Sequence, residues 1–298
     1  MPKTEGFFVT MKPAKTIQEL VSLLKTRQMI FKDENEAARL LLNNNYYRMS
    51  GYWRKFQVDP DSGNDSFING TTFEKIVTLY NLDALLRNAL QEGISTFEIC
   101  FRSVFAYFAS HSVTNGQFLY LCKDSYRNDF LSKNEHPDDL LDSIYRELSR
   151  STERCVMHYK NRNEQIPIWA AVEVLSFGTI SKMYSRWVDK DVVKKVSQTF
   201  GVFKDYSHTP KIIRSMVNLR NLCAHQARLW NRELTAPVIN RDYLQKFGLS
   251  QERAQWRIIS ILMLLVDGIT QCNDFSIRIV SLCHTAPAFY EGLVNPTL

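Results

Sequence analysis

The chain has 298 residues, of which 45% are hydrophobic and 23% charged, a balance typical of globular proteins that excludes disordered and fibrous classes. Its eleven glycines and nine prolines are too few for a turn-rich sandwich or barrel, so we expect an all-α fold. The net charge of +6 favours a polyanionic partner without establishing one. The length exceeds what one hydrophobic core usually serves, which predicts a large domain and a smaller one.

Neither a leader peptide nor a membrane segment is predicted. The first residues lack the long apolar core of a signal peptide, and the longest nearly unbroken apolar run, 258–266, is far shorter than the ~20 residues of a membrane span. The six cysteines lie far apart without a CxxC pair, so neither a zinc site nor a disulfide framework is indicated. We therefore expect a cytoplasmic protein whose cysteines are small buried hydrophobic residues.

Several helix starts are legible in the chain. Two capping boxes, Thr16 with Glu19 and Thr71 with Glu74, predict that a hydroxyl and a carboxylate satisfy the first free amides. Pro167 stands where a first helical turn would begin, a place where the missing N–H costs nothing. These signals and the apolar periodicity predict helices near 17–27, 34–44, 72–108, 137–160, 167–187, 210–231 and 250–280.

The segment 46–70 differs from its surroundings because aromatic residues are followed by a cluster of turn residues, 59–64. This pattern predicts a short hairpin that pairs Tyr52–Val58 with Ser66–Ile68. It also predicts the domain organisation: a small N-terminal helical module with the hairpin over 1–70, a helical bundle over 71–285 and a C-terminal tail over 286–298.

One segment, 209–232, combines an apolar helix with a continuous polar stripe. At about 100° per residue, one side of such a helix carries Arg214, Asn218, Asn221, His225, Arg228 and Arg232. A solvated face is the usual explanation of a polar stripe, but a solvated face normally mixes acids with bases and favours Lys and Glu. Because this stripe contains neither, we interpret it as a functional surface in a cleft or at a subunit contact.

Arg220 lies outside the stripe, since a residue five positions before His225 points about 140° away on a straight helix. Three explanations stay open at this point: its long side chain wraps round the helix, the helix is locally distorted, or the arginine completes a site in another way.

The hexapeptide Arg220–His225, RNLCAH, resembles the R-x4-6-H motif of HEPN-domain ribonucleases. The longer stretch 220–232, RNLCAHQARLWNR, resembles the C-terminal signature of the Abi-like abortive-infection family of phage-defence proteins. The stretches 45–53 and 167–179 resemble that family's N-terminal and middle blocks, and the resemblance runs in order from about Lys12 to Arg232. The residues that fit its first long bundle helix are Phe73, Tyr80, Asp83, Leu86, Arg87, Glu98 and Arg102.

This resemblance implies an HEPN-type helical bundle, usually a homodimer in which two R-x4-6-H motifs meet at a two-fold axis. It implies RNA cleavage without metal or other cofactor: the ribose 2′-OH attacks the adjacent phosphate and leaves a cyclic phosphate and a 5′-OH. RNA is then the expected partner, as substrate and as a structured companion RNA encoded beside such proteins. Neither DNA nor a membrane is expected as a partner.

The chemistry of the motif agrees with that implication. A histidine such as His225 exchanges protons near neutral pH, and an arginine such as Arg220 offers a fork of donors for charge developing on phosphate. Asn221, one turn before His225, is placed to orient the imidazole or to hold a phosphate oxygen. We expect these three residues to be catalytic, with RNA contacts from Arg214 and Arg232 and support from Arg228.

Glu98, Arg102 and Glu173 are candidate supporting residues. Glu173 lies in an apolar helical segment, where an unpaired carboxylate is expensive to bury, so we expect an arginine partner, Arg220 or Arg102. Glu98 and Arg102 are four residues apart in the order that favours a helical ion pair. We favour a structural salt bridge over a direct catalytic role.

Aromatic and basic residues alternate in the stretch 46–55, as binding of single-stranded RNA requires. Aromatic residues around a small hairpin are equally the means by which a small module fills its core, and both interpretations stay open. The RNA-binding interpretation assigns Arg48, Tyr52, Trp53, Arg54 and Lys55 to the interface.

Two other functions compete with an RNA-cleaving enzyme. One is a non-catalytic HEPN dimer that binds a structured RNA or an antitoxin, against which the complete Arg220, Asn221 and His225 motif argues. The other is a nucleotidyl-transferring toxin component, which ranks last because the sequence shows neither a Gly-rich phosphate loop nor paired metal-binding aspartates.

Overall fold

The computed structural model describes residues 13–128, 136, 138–200, 206–233 and 254–297. Helices and turns account for nearly all of these residues, and the strands form a single antiparallel hairpin within the described part of the chain. The expected all-α class is therefore confirmed. The chain divides into two compact units, and the division falls between Asp83 and Ala84.

The first unit, up to Asp83, contains a helical layer and the hairpin. Its elements are α1 (Ile17–Thr26), α2 (Glu34–Asn44), α3 (Tyr46–Trp53), a 3-10 turn (Arg54–Phe56), β1 (Gln57–Asp59), β2 (Asn64–Phe67) and the beginning of α4 (Phe73–Ser110).

The capping prediction is confirmed at α1 and wrong at α4. The Thr16 hydroxyl accepts from the Glu19 amide at 3.2 Å, and the Thr16 amide donates to the Glu19 carboxylate at 2.6 Å. This hydrogen bond lowers the pKa of Glu19. At α4 the hydroxyl of Thr72, rather than that of Thr71, accepts an amide of the first turn, and the Glu74 carboxylate accepts the amide of Lys32 instead.

The hairpin is shorter than predicted, because Tyr52 and Trp53 belong to α3 and not to a strand. Gln57 pairs with Phe67 and Asp59 with Asn64, with an irregularity between the two pairs. Asn45, in the left-handed region at φ 65°, ends α2, and its side chain accepts the amide of Tyr47 to begin α3.

The second unit, from Ala84 to Pro296, is built on the rest of α4. It contains two 3-10 turns (Gly116–Leu121, Lys123–Ser125) and α5 (Asp139–Arg150), α6 (Arg154–Lys160), α7 (Ile168–Ala171), α8 (Phe177–Arg186), α9 (Lys190–Thr199), α10 (Thr209–Ala224), α11 (Ala254–Thr270), α12 (Asp274–Cys283) and α13 (Pro287–Val294). Phe101 and Phe105 of α4 pack edge-to-face on Tyr184 of α8, which places the core of this unit between these two helices.

Three long helices that the sequence predicted are interrupted. The span 137–160 breaks after Arg150, 167–187 breaks between α7 and α8, and 250–280 breaks after Thr270, where Gln271 has φ 56°. Residues 137 and 250–253, the predicted starts of two of these helices, lie outside the described residues. Helix α9 was not predicted.

The segment 286–298, expected to be a tail, contains α13. Phe289 and Leu293 of this helix are fully buried. The indole N–H of Trp230 donates to the carbonyl oxygens of Ala288 at 3.2 Å and Phe289 at 3.1 Å. Helix α13 is therefore an integral part of the second unit.

The cysteines follow the expectation only in part. Cys223 and Cys283 are buried, and burial raises the pKa of Cys283 to about 12. Cys122, Cys155 and Cys272 are exposed, so the expectation of burial is wrong for them.

None of the helices in the described residues combines the length and apolarity needed to cross a membrane.

We predict that Gly292→Ala destabilises the protein, because a Cβ on Gly292 would lie 2.2 Å from Nε1 of the buried Trp230 indole. Overpacking of this kind costs about 1–3 kcal/mol, which urea unfolding followed by circular dichroism measures. Gly268→Ala in α11 is the matched control, since its Cβ would meet nothing within 4 Å and alanine favours the helix. Equal stability of the two variants would contradict the prediction.

Candidate active site

Helix α10 presents two different faces. Its apolar residues, Ile212, Ile213, Met216, Leu219 and Cys223, are buried. On the opposite side Arg214, Asn218 and Asn221 are exposed, as the sequence predicted for the first half of the polar stripe. The helix begins against α9, where the hydroxyls of Thr209 and Ser197 share a buried hydrogen bond of 2.6 Å.

Helix α10 ends at Ala224 instead of continuing to 231 as predicted. The Gln226 amide donates to the Cys223 carbonyl at 3.0 Å and the Ala227 amide to the Leu222 carbonyl at 2.8 Å. Gln226 has φ 54°. Together these features form a Schellman motif, which satisfies the last carbonyls of a helix and turns the chain away. His225 is consequently the C-cap residue, with an exposed side chain.

The early end of α10 removes Arg228 and Arg232 from the helical stripe. Arg228 is half-buried and donates through Nη1 to the carbonyl oxygens of Trp230 at 3.0 Å and Asn231 at 2.8 Å. Its guanidinium thus stabilises the turn after the motif, and its place on the predicted stripe was wrong. Arg232 instead lies in the cleft described next.

A cleft of roughly 370 Å³ opens beside the end of α10. Leu219, Leu222, Ala227 and Ile258 form its apolar part. The polar side chains that line it are Ser215, Asn218, Asn221, His225, Arg232 and Glu233. The cleft therefore combines an imidazole, two amides, a guanidinium and a carboxylate beside one exposed helix end.

Arg220 is not among the residues that line this cleft, and it contacts one of them, Asn221. Its Nη1 lies 3.4 Å from the Oδ1 of Asn221, and the hydrogen bonding of α10 is regular up to Ala224. Of the three explanations left open by the sequence, this contact favours an arginine side chain that turns toward Asn221 over a distorted helix.

No sequence pattern indicated the contact between α4 and the residue after His225. Arg87 is 1% exposed, and its Nε donates to Oε1 of Gln226 at 3.3 Å. Gln226 adopts the left-handed conformation that glycine or asparagine usually occupies, so the residue type carried no sign of the turn. Arg87 was assigned to the bundle helix and not to the site.

Arg102 joins Glu98 to a helix end. It forms a salt bridge with the Glu98 carboxylate, and both side chains are at most 14% exposed. Its Nη1 also donates to the carbonyl oxygens of Val172 and, at 2.6 Å, Leu175, in the turn between α7 and α8. These contacts favour the structural interpretation of the pair.

Glu173 does not need the arginine partner that the sequence led us to expect. It lies in the turn after α7 and is exposed, so its carboxylate is not buried. The expectation was wrong because the predicted continuous helix is broken at this turn.

The aromatic residues of the segment 46–55 are core residues. Tyr52 and Trp53 are each 1% exposed. The Tyr52 hydroxyl donates to Asp83 at 2.6 Å, and the Trp53 ring meets those of Tyr46 and Phe67 edge-to-face. These rings cannot stack on bases in this structure, so the RNA-binding interpretation is wrong for Tyr52 and Trp53.

The basic residues of that segment are engaged within the first unit. Arg48 donates to the Tyr80 hydroxyl at 3.3 Å, and Arg54 forms an ion pair with Asp61 at 2.5 Å. Lys55 is half-buried in the 3-10 turn that follows α3. A role of these three residues in binding RNA stays a prediction.

Among the described residues, His, Cys, Asp and Glu side chains do not gather in groups of three or more that could hold a metal ion.

The chain matches the family model described as "Abi-like protein" over residues 39–231. This range covers more than half of the 298 residues and includes Arg220, Asn221 and His225. No individual curated protein and no solved structure shows significant similarity to the chain.

The burial of Trp53 yields a prediction that separates core from interface. Trp53→Ala should lower the free energy of unfolding by about 3–5 kcal/mol, because it leaves a cavity among packed rings. Arg54→Ala is the adjacent control and should cost less than about 1 kcal/mol, since its ion pair is on the surface. Chemical denaturation measures both, and an unchanged stability of Trp53→Ala would refute the core assignment.

Proposed function

The chain belongs to the Abi-like protein family, and we propose that it acts as an HEPN-type endoribonuclease centred on Arg220, Asn221 and His225. The family's name associates it with abortive infection, a form of phage defence. The observation that carries the proposal is the exposed imidazole of His225 at the Schellman end of α10, in a cleft shared with Asn221 and Arg232. A titratable group, an amide and a cation then face one open space, as phosphate chemistry requires.

The proposed reaction uses the substrate's own 2′-hydroxyl as nucleophile. A neutral imidazole takes the proton of the 2′-OH while its oxygen attacks the adjacent phosphorus. The bond from phosphorus to the 5′-oxygen breaks, and that oxygen takes a proton from a general acid. The products are a cyclic phosphate and a free 5′-OH, and DNA is excluded as a substrate because it lacks the 2′-hydroxyl.

Arg220 and Asn221 are assigned to the phosphate. A guanidinium stays charged at working pH and offers two parallel donors, so Arg220 is suited to stabilise the negative charge that develops on the phosphate oxygens. The 3.4 Å contact with Asn221 orients this guanidinium from the side of the polar stripe. His225 is assigned to proton transfer, since an imidazole titrates near neutral pH.

A second copy of the chain is proposed to complete the site. The reaction needs both a base and an acid, whereas each chain contributes one His225 in the motif. The polar residues Arg214, Asn218 and Asn221 are exposed along α10, which leaves this face available for a two-fold copy. RNA is the proposed substrate, in keeping with the net charge of +6, and a structured companion RNA is proposed as a further partner.

We expect His225→Ala and Arg220→Ala each to lower the rate of RNA cleavage by roughly 10²–10⁴, because each removes a proton-transfer or charge-stabilising group. Arg220→Lys should also fail, since it keeps the charge but loses the fork of donors. Gel analysis of cut RNA measures the rate, and cleavage should persist in EDTA.

The controls for these variants are surface residues of the same types. His136, whose side chain is 74% exposed, serves as His136→Ala, and the exposed Arg39 serves as Arg39→Lys. Full cleavage by His225→Ala, or an absolute requirement for Mg²⁺ or Mn²⁺, would move the active site elsewhere. RNA binding without any cleavage by the wild type would instead support the non-catalytic dimer.

The composite site predicts dominant inactivation in mixed dimers. When His225→Ala chains are added in excess to wild-type chains, mixed dimers hold one imidazole, and the cleavage per wild-type chain should fall toward zero. Adding His136→Ala chains should leave that rate unchanged. Light scattering at micromolar concentration should give twice the 34.7 kDa of one chain. A single 34.7 kDa species, or a rate insensitive to His225→Ala chains, would contradict the dimer.

A further inference from the structure

Trp169 stands apart from the other tryptophans of the chain. Of the five tryptophans in the sequence, it alone is largely exposed, at 50%, whereas Trp53, Trp187, Trp230 and Trp256 are at most 6% exposed. It lies on the short helix α7, whose residues Ile168, Ala170 and Ala171 are buried. The backbone therefore directs one large aromatic ring outward while its neighbours fill the core.

The exposed ring borders a cleft of about 430 Å³, distinct from the cleft beside α10. Phe118 of the 3-10 turn Gly116–Leu121 and Tyr159 of α6 contribute two more rings, and Pro167 directly precedes α7. The amides of Gln117 and Gln165 and the carboxylate of Glu164 are the polar groups of its lining. This volume is within the range of about 300–1,000 Å³ typical of sites that bind small molecules.

The walls of this aromatic cleft are held in place by hydrogen bonds. The Tyr120 hydroxyl donates to the carbonyl of Ile166 at 2.7 Å, which fixes the chain as it enters α7. The Glu164 amide donates to the carbonyl of Tyr159 at 3.1 Å, and Asn163 has φ 55°, so this turn folds back onto α6. The cleft is therefore formed before any ligand arrives.

The charge beside the aromatic cleft is suited to a nucleic acid. Arg162 is exposed in the turn between Tyr159 and Glu164, and its Nη1 contacts the ring of His158, next to Tyr159 in α6. Arg162 stands in the sequence between two residues of the lining, Tyr159 and Glu164, and its charge attracts a phosphate. A tryptophan face and neighbouring amides suit a flat base with donors and acceptors on its edge. Because an amide can donate or accept, such a site tolerates different bases.

We propose that the aromatic cleft binds an unpaired nucleobase of RNA, stacked on Trp169, with its phosphate toward Arg162. This inference rests on the proposed function in that RNA is the ligand, but the residues involved are separate from Arg220, Asn221 and His225. The cleft would hold single-stranded substrate at a second point and would favour unpaired over fully base-paired RNA.

The fluorescence of Trp169 provides a direct test, because the other four tryptophans are buried. The full-length His225→Ala chain, which leaves RNA uncut, is titrated with an unstructured oligoribonucleotide and with an abasic ribophosphate of the same length. The oligoribonucleotide should quench the tryptophan emission, and the abasic chain should leave it unchanged.

Fluorescence anisotropy of a labelled oligoribonucleotide measures the affinity independently of tryptophan emission. In the same His225→Ala background, Trp169→Ala should weaken binding about tenfold, which corresponds to the loss of one stacked base. Trp169→Phe, which keeps a flat ring, should stay within about threefold of the parent. Tyr145→Ala removes another exposed aromatic side chain, outside the cleft, and should not change the affinity.

The outcomes separate this inference from the proposed function. RNA that binds without quenching, equal quenching by the abasic chain, or unchanged affinity of Trp169→Ala would overturn the nucleobase site while cleavage at His225 stands. If RNA neither binds the chain nor is cut by the wild type, the proposed function and the nucleobase site both fail. Should Trp169→Ala unfold, the quenching experiment still decides, because Trp169→Phe should bind the oligoribonucleotide without that quenching, and quenching that persists in Trp169→Phe would overturn the nucleobase site.

Discussion

The contact of Trp230 with α13 fixes the segment on which the candidate site depends. The indole N–H donates to two carbonyl oxygens of α13, and the ring lies against Gly292, where a larger residue would not fit. The amide of Asn231 also donates to the carbonyl of Gly292 at 2.9 Å. Because only four residues separate His225 from Trp230, this anchor limits where the chain can go after α10 ends.

Side chains of two arginines hold the two ends of the segment 226–231. Arg87 of α4 contacts Gln226 directly after His225, and Arg228 donates to the carbonyl oxygens of Trp230 and Asn231. The imidazole thus stands at an exposed helix end, followed by a segment that contacts α4 through the Gln226 side chain, α13 through Trp230 and Asn231, and its own turn through Arg228. Groups held this way lose little freedom on binding a ligand, which is what an active site requires.

Several arginines satisfy backbone carbonyls rather than facing solvent. Arg102 donates to the turn between α7 and α8, Arg228 to the turn after α10, and the nearly buried Arg186 donates to the carbonyl of Arg127 at 3.0 Å. Such bonds serve carbonyls in the connecting segments, which lack partners in regular helical hydrogen bonding. The positive charge of the sequence therefore overstates the charge available to RNA, and Arg162 and Arg214 are among the exposed exceptions.

Local signals in the sequence were sufficient for the helical class and the family, while the role of the motif residues stays a proposal. The capping box at α1 and the apolar face of α10 depend on neighbours a few residues away, so their patterns were readable. The family blocks likewise are runs of contiguous residues, and the family model covers them.

Only the tertiary structure decided where the long helices stop and which aromatic residues are buried. Gln226 takes a left-handed conformation that its residue type does not favour, and distant packing of Trp230 on α13 accompanies that turn. Trp53 and Trp169 are both tryptophans, yet one is 1% and the other 50% exposed. Their difference follows from contacts with residues remote in sequence, which periodicity and composition do not contain.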